Sequence, residues 1–205
     1  MLVPSMTFAE IKKEIYKDFI IVNRKVNYLE QELWRSSRPH GNEKVVKYHD
    51  YNSKYKNKWL FRIEATKKST YATAMVYYYN NIGLVGLVPV PEDDLLVYHT
   101  AHFFKRFNER QCLNLGTPYE IMRAFINECD EYNLKKLHQF EPGIYKIFCA
   151  TEYGYLLGTY LQDLGFLKIN TYITFAMLKG DQIPLAERLT RELDKYQSNA
   201  SNLFG

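Results

Sequence analysis

Over residues 8–33 the apolar positions Phe8, Ile11, Ile15, Phe19, Val22, Val26, Leu29 and Leu33 recur three and four apart. That spacing follows the 3.6-residue turn and predicts one long amphipathic helix. Thr7-x-x-Glu10 has the form of a capping box at its start, and Arg38-Pro39-His40-Gly41 supplies a stop. A seam this regular suits either the chain's own sheet or a second copy of the helix, so a homodimer stays open.

From residue 59 the period shortens to two. Trp59, Phe61, Ile63 and Ala65 alternate with Leu60, Arg62, Glu64 and Thr66 before a turn at Lys67-Lys68-Ser69. A second strand is predicted over 70–79, a turn at Asn80-Asn81-Ile82-Gly83, and a third strand over 84–88 ended by Pro89-Val90-Pro91. A short strand over 95–98 leads into a helix capped by Thr100, with Phe103, Phe104 and Phe107 on its buried side. Thr117-Pro118-Tyr119-Glu120 is another capping box, followed by a buried face of Ile121, Met122, Phe125, Ile126 and Cys129. Strands are predicted next over 144–150, 154–161 and 166–178. In the last of these Leu167, Ile169, Thr171, Ile173, Phe175 and Met177 share one face, while Lys168, Asn170, Tyr172 and Thr174 share a wetter one. A closing helix opens at Pro184 with Leu185, Leu189 and Leu193 along one side, and residues 197–205 are expected to fray. No internal repeat or low-complexity block is evident.

These elements predict a single α+β unit over 1–197, an antiparallel sheet with flanking helices and a frayed tail over 198–205. A subdivision into 1–94 and 95–197 is the natural one, and two smaller sheets parted near residues 89–94 are the alternative. At 205 residues and 46% hydrophobic the chain is long enough to bury a core. Eighteen tyrosines and twelve phenylalanines suit strands, and they also offer flat faces for stacking on bases. Three cysteines without a CxxC pair predict free, mostly buried thiols in a reducing compartment. With no basic segment leading a hydrophobic core at the start, and no apolar run near ~18 residues, the expectation is a cytoplasmic protein without a membrane partner.

The net charge of +4 is small, but its distribution is uneven. Residues 35–68 hold ten Lys or Arg against three carboxylates. Within this block, residues 42–58 read as a surface hairpin or mobile loop in which Lys54, Lys56 and Lys58 can neutralise phosphates while Tyr51 and Tyr55 stack under bases. The blander reading is a solvated, lysine-rich strand edge that resists aggregation.

The second candidate is the helix after Thr100. His102, Arg106 and Arg110 stand at i, i+4 and i+8, flanked by Lys105 and Glu109. An imidazole beside guanidinium groups can take the 2′-hydroxyl proton of RNA while cations stabilise charge on the phosphate. Lys105 also counts as a nucleic-acid contact. His99 and His102 offer a metal alternative, but no HExxH or carboxylate cluster accompanies them. The P-loop, GxGxxG and GxSxG motifs are missing too, so neither a metal nor a cofactor is expected.

The pattern His-x-x-x-Arg-aromatic-x-x-Arg, followed by a loop and a second helix, resembles small phage- and plasmid-borne domains akin to the barnase/RelE-type ribonuclease toxins. The likeness covers residues 99–177, and the amino-terminal half is additional to it. It implies a histidine-bearing helix beside an antiparallel sheet, with Thr171 of a late Thr171-Tyr172 pair joining His102, Arg106 and Arg110 in a catalytic site. The function expected is RNA binding with metal-free, ribonuclease-like cleavage in a protein of phage or mobile-element origin. The contrary class is a non-catalytic interaction or phage accessory protein, dimeric through the amino-terminal helix.

Overall fold

The computed structural model describes residues 1–37, 43–128 and 133–203, without the side chains of 133, 134 and 193–203. The expected stop at residues 38–41, Cys129 and the side chain of Leu193 lie outside the described residues. Helix α1 (Phe8–Ser37) opens with its capping box made: the Thr7 N–H donates to Glu10 Oε2 at 2.7 Å and the Glu10 N–H donates back to Thr7 Oγ1 at 3.3 Å. Four strands follow as a meander, β1 (Val45–Asn52), β2 (Lys58–Ala65), β3 (Thr70–Tyr79) and β4 (Leu84–Val90), and then β5 (Leu95–His99). Helices α2 (Ala101–Arg110) and α3 (Pro118–Glu128) come next, then β6 (Asn133–Glu141), β7 (Ile144–Thr151), β8 (Gly154–Leu161) and β9 (Phe166–Ile173), and finally α4 (Gln182–Leu203).

Among the described residues the strands form one nine-stranded sheet in the order β1-β2-β3-β4-β5-β9-β8-β7-β6, not two sheets parted near residue 90. All neighbours are antiparallel except the central pair, in which β5 runs parallel to β9. The α+β expectation holds, an antiparallel sheet with flanking helices. One face packs against α1 through Ile15, Val22, Trp59, Phe61 and Ile63, and farther along against α4 through Phe148, Ala150 and Leu189. The other packs against α2 and α3 through Leu60, Phe103, Phe107, Phe125 and Ile147. The α1 seam is thus buried in its own sheet, and that face is not open to a second copy.

Several local expectations change. Of the two readings of residues 42–58 the hairpin holds and the mobile loop does not, since residues 45–52 are an edge strand paired with β2 along their whole length. Strand β6 lies at the opposite edge and was not expected. The predicted strand over 166–178 ends at Ile173, and Phe175–Met177 form a 3-10 turn. Its faces are also reassigned. Leu157 pairs with Thr171 but Gly158 with Ile169, so Asn170 is an extra residue that flips everything after it. Tyr172, assigned to the wet face, is therefore fully buried with Leu167 and Ile169 against α2. Cys149 is buried, as expected, but Cys112 is exposed at the end of α2.

One repetition is invisible in the sequence. The β4–β5 connection is a 3-10 turn over Pro91–Asp93 closed by left-handed Asp94, and the β8–β9 connection is a 3-10 turn over Gln162–Leu164 closed by left-handed Gly165. The closing hydrogen bonds match at 3.1 and 3.0 Å. Lys12 of α1 donates to the carbonyl of Asp94 at 2.6 Å and to that of Leu164 at 2.8 Å, tying both turns together.

Candidate functional site

Helix α2 starts where β5 leaves the sheet, with Thr100 Oγ1 accepting the Phe103 N–H at 3.1 Å. Phe103, Phe104 and Phe107 anchor it through edge-to-face contacts with Phe125 of α3. That fixes the rotation of the helix and turns His102 outward. His102 is exposed in a groove of about 610 Å³ between α2 and the Asn80–Gly83 turn, lined also by Ile82, Gly83, Lys105 and Glu109.

Arg106 Nε donates to His102 Nε2 at 3.4 Å, and Arg106 Nη1 bonds Glu109 at 2.9 Å. Lys105 reaches the same carboxylate at 4.0 Å and is largely exposed. The guanidinium of Arg106 is thus shared between the imidazole and an acid, and partial neutralisation by Glu109 weakens its pull on an incoming phosphate.

Arg110 does not join this group. Its guanidinium turns inward to the Tyr172 carbonyl and lies 3.3 Å from Thr171 Oγ1, tying α2 to β9. Burial, then the charge of Arg106, holds its pKa below the ordinary guanidinium value. Arg110 and Thr171 do meet, but in a contact that ties α2 to the β9 main chain rather than beside His102. The four catalytic candidates divide into an exposed His102–Arg106 pair and a half-buried Arg110–Thr171 pair.

The His-x-x-His alternative is split by the fold. His99 closes β5 and is fully buried, its ring 4.9 Å from Phe125 and 5.2 Å from Phe103, whereas His102 faces solvent. Burial lowers the His99 pKa to about 3, opposed by a hydrogen bond with the Gly86 backbone. It is a neutral core histidine. Among the described residues no group of three or more His, Cys, Asp or Glu could hold a metal.

The basic candidates cluster at the β1–β2 hairpin. Lys54, Lys56 and Lys58 are exposed, with Lys56 at a positive φ of 60° in the turn. Tyr55 is covered by the Lys17 ammonium 4.3 Å above its ring, and Tyr51 leans on Phe61 with centroids 5.7 Å apart. Neither tyrosine offers a free face on both sides. Lys105 lies on the opposite side of the sheet, with α2.

What holds the hairpin was not foreseen. Asp18 of α1 is fully buried, and its Oδ2 accepts from Ser53 Oγ at 2.6 Å, Asn57 Nδ2 at 2.8 Å and Trp59 Nε1 at 2.9 Å. A carboxylate so placed presents the lysine turn on a rigid support. The signal was present in the sequence: Asp18 stands on the stripe between Ile15 and Val22, where an apolar residue is expected. The register Lys58↔Tyr77↔Gly86↔His99 puts this turn and the start of α2 at one end of the sheet, three strand spacings or roughly 14 Å apart.

No helix is long and apolar enough to cross a membrane among the described residues. Comparison with family models, with curated proteins and with solved structures finds no match.

Proposed function

We propose that this protein binds single-stranded RNA across the end of the sheet that carries the β1–β2 turn and the start of α2. The observation that carries the reading is the rigid presentation of Lys54 and Lys56 by the Asp18 clamp, in line with Lys58 and, across the sheet end, His102 and Lys105. Flexible lysines on a mobile loop lose more entropy on binding than lysines on a fixed turn. A strand lying along this end would meet phosphate partners at both clusters.

Cleavage is the sharper reading, and among the catalytic candidates His102 and Arg106 have the required access. The His102 imidazole would take the 2′-hydroxyl proton as the 2′-oxygen attacks phosphorus and the P–O5′ bond breaks, the departing 5′-oxygen taking a proton from water, with Arg106 and Lys105 meeting the charge on the phosphate. The resemblance of the α2 pattern to ribonuclease toxins points the same way. Against it stand Arg110, committed to β9, and Arg106, shared with Glu109; both favour binding without turnover.

The two are separated by incubating labelled single-stranded RNA with the wild-type protein and with His102→Ala, with and without chelator. Cleavage that survives the chelator and falls by roughly 100- to 10,000-fold in the variant would establish a metal-free nuclease. His102 is exposed, so its stability should stay within about 0.5 kcal/mol of wild type. Binding with no wild-type cleavage leaves a binding protein, and no binding at any salt concentration defeats both readings.

A further inference from the structure

Strands β3 and β4 part company halfway along. Their pairing covers only Val76↔Leu87 to Tyr79↔Leu84, so residues 70–75 and 88–90 face one another without a ladder between them. The cause is legible in the residues. The Asn80 N–H donates to the Gly83 carbonyl at 3.0 Å, which fixes 80/83, 78/85 and 76/87 as the hydrogen-bonded pairs. The next two would be 74/89 and 72/91, and both β4 positions are prolines. Pro89 and Pro91 have no N–H to give, and the strands diverge where the ladder would need them.

The same alternation aims the main-chain N–H and C=O of Ala72 and Ala74 into the gap, since the intervening residues Tyr71, Thr73 and Met75 bond β2. The gap is a slot of about 770 Å³ through the sheet, within the range of small-molecule sites. Phe19 and Val26 of α1 line it on one face of the sheet, and Phe125 and Ile126 of α3 on the other. Thr73 Oγ1 is buried with no hydrogen-bond partner among the described residues. Glu92 lines the slot where the strands are farthest from their last pair.

We infer that this slot binds a planar, uncharged heterocycle of purine size. Lying in the plane of the sheet, its edge would pair a donor and an acceptor with the Ala72 and Ala74 main chain, as β4 would have done. Its two faces would meet Phe19 on one side and Phe125 on the other, an aromatic sandwich suited to a flat ring. A heterocycle is favoured over an inserted peptide strand because the slot is a wedge closing at Val76–Leu87, and a strand needs parallel walls two spacings apart. Glu92 selects against a phosphate on the ligand, so a base or nucleoside fits better than a nucleotide. The site is independent of the RNA reading, because it lies toward the other end of the strands from Lys54 and His102.

The test is an amide-resolved NMR titration of the full-length protein with adenine, adenosine, adenosine monophosphate and a short oligoadenylate. Adenine and adenosine should shift the Ala72 and Ala74 amides and give contacts from ring protons to both Phe19 and Phe125. The monophosphate should bind roughly tenfold more weakly at low salt, as one like-charge repulsion predicts, and the oligomer should leave these amides unmoved. Pro89→Val, which restores the missing donor, should close the slot and abolish the shifts without lowering the melting temperature. Unmoved Ala72 and Ala74 amides at millimolar adenine and adenosine would overturn the inference. So would shifts produced only by an apolar pentapeptide titrated in parallel as a fifth probe, which would make the slot a strand acceptor. Should the proline variant not fold, the ring-proton contacts in the wild type decide alone.

Discussion

Arg110 illustrates how a residue that reads as chemistry becomes architecture. Its spacing from His102 is correct for a shared stripe, but two turns of helix carry it to the rim of β9, where the Tyr172 carbonyl needs a donor. Replacing it by Ala should cost about 1 to 3 kcal/mol in chemical denaturation and leave RNA affinity unchanged. A catalytic role would show the reverse. His99 makes a second prediction at this scale. Because its folded pKa of about 3 lies below the ordinary 6.5, the unfolded chain holds a proton across that interval that the native chain refuses. Stability should therefore rise with pH between about 3 and 6.5 and level off above it. His49, also lowered mainly by burial, adds in the same direction. Melting curves for His99→Gln should show a shallower loss between pH 6.5 and 5, above the ordinary carboxylate range. An unchanged slope would mean that His99 is not the group responsible.

Among the elements, α1 was legible over Phe8–Ser37 because its buried positions keep one period and its start carries both halves of a capping box. The same holds for α3, where Thr117 Oγ1 and Glu120 exchange the expected bonds. Strand β6 was not legible, since residues 135–141 are exposed on both faces and an edge without a buried side imprints no alternation. Strand β9 misled for a different reason: one bulged residue inverts the pattern, and no composition rule announces it. Gly158 opposite the bulge is the closest thing to a signal, because any Cβ there would strike the Lys168 carbonyl. Of the candidate site, residue types and exposure were readable, while the partners that tertiary packing assigns to Arg110, Tyr55 and Asp18 were not. The β1–β2 hairpin has its own test. Lys54, Lys56 and Lys58 replaced together by Gln should weaken RNA binding and reduce the slope of log K against log salt by roughly 0.7 for each phosphate no longer neutralised. Equal slopes in a folded variant would make the hairpin a solvated sheet edge.

On the scale of the whole molecule, the parallel β5–β9 pair joins two antiparallel meanders, and the two matched turns meet beside it. Gly165 is the tightest point of that junction. A side chain there would run into the Asp94 carbonyl and the Lys12 ammonium, from a backbone already at a φ of +54°. Gly165→Ala should therefore destabilise the protein by about 2 kcal/mol or more in a denaturant titration, against near-neutrality for an ordinary surface turn.

Those twin turns have a further meaning. Rotating the molecule by half a turn about a line in the sheet, along the seam between β5 and β9, carries β4, its turn and β5 onto β8, its turn and β9. The same rotation exchanges the two faces, which is why α2 follows β5 onto one side and α4 follows β9 onto the other. The two β-turn-β units beside the seam thus repeat one another in strand direction and turn geometry, and Lys12 is the one side chain that bonds the main chain of both turns among the described residues.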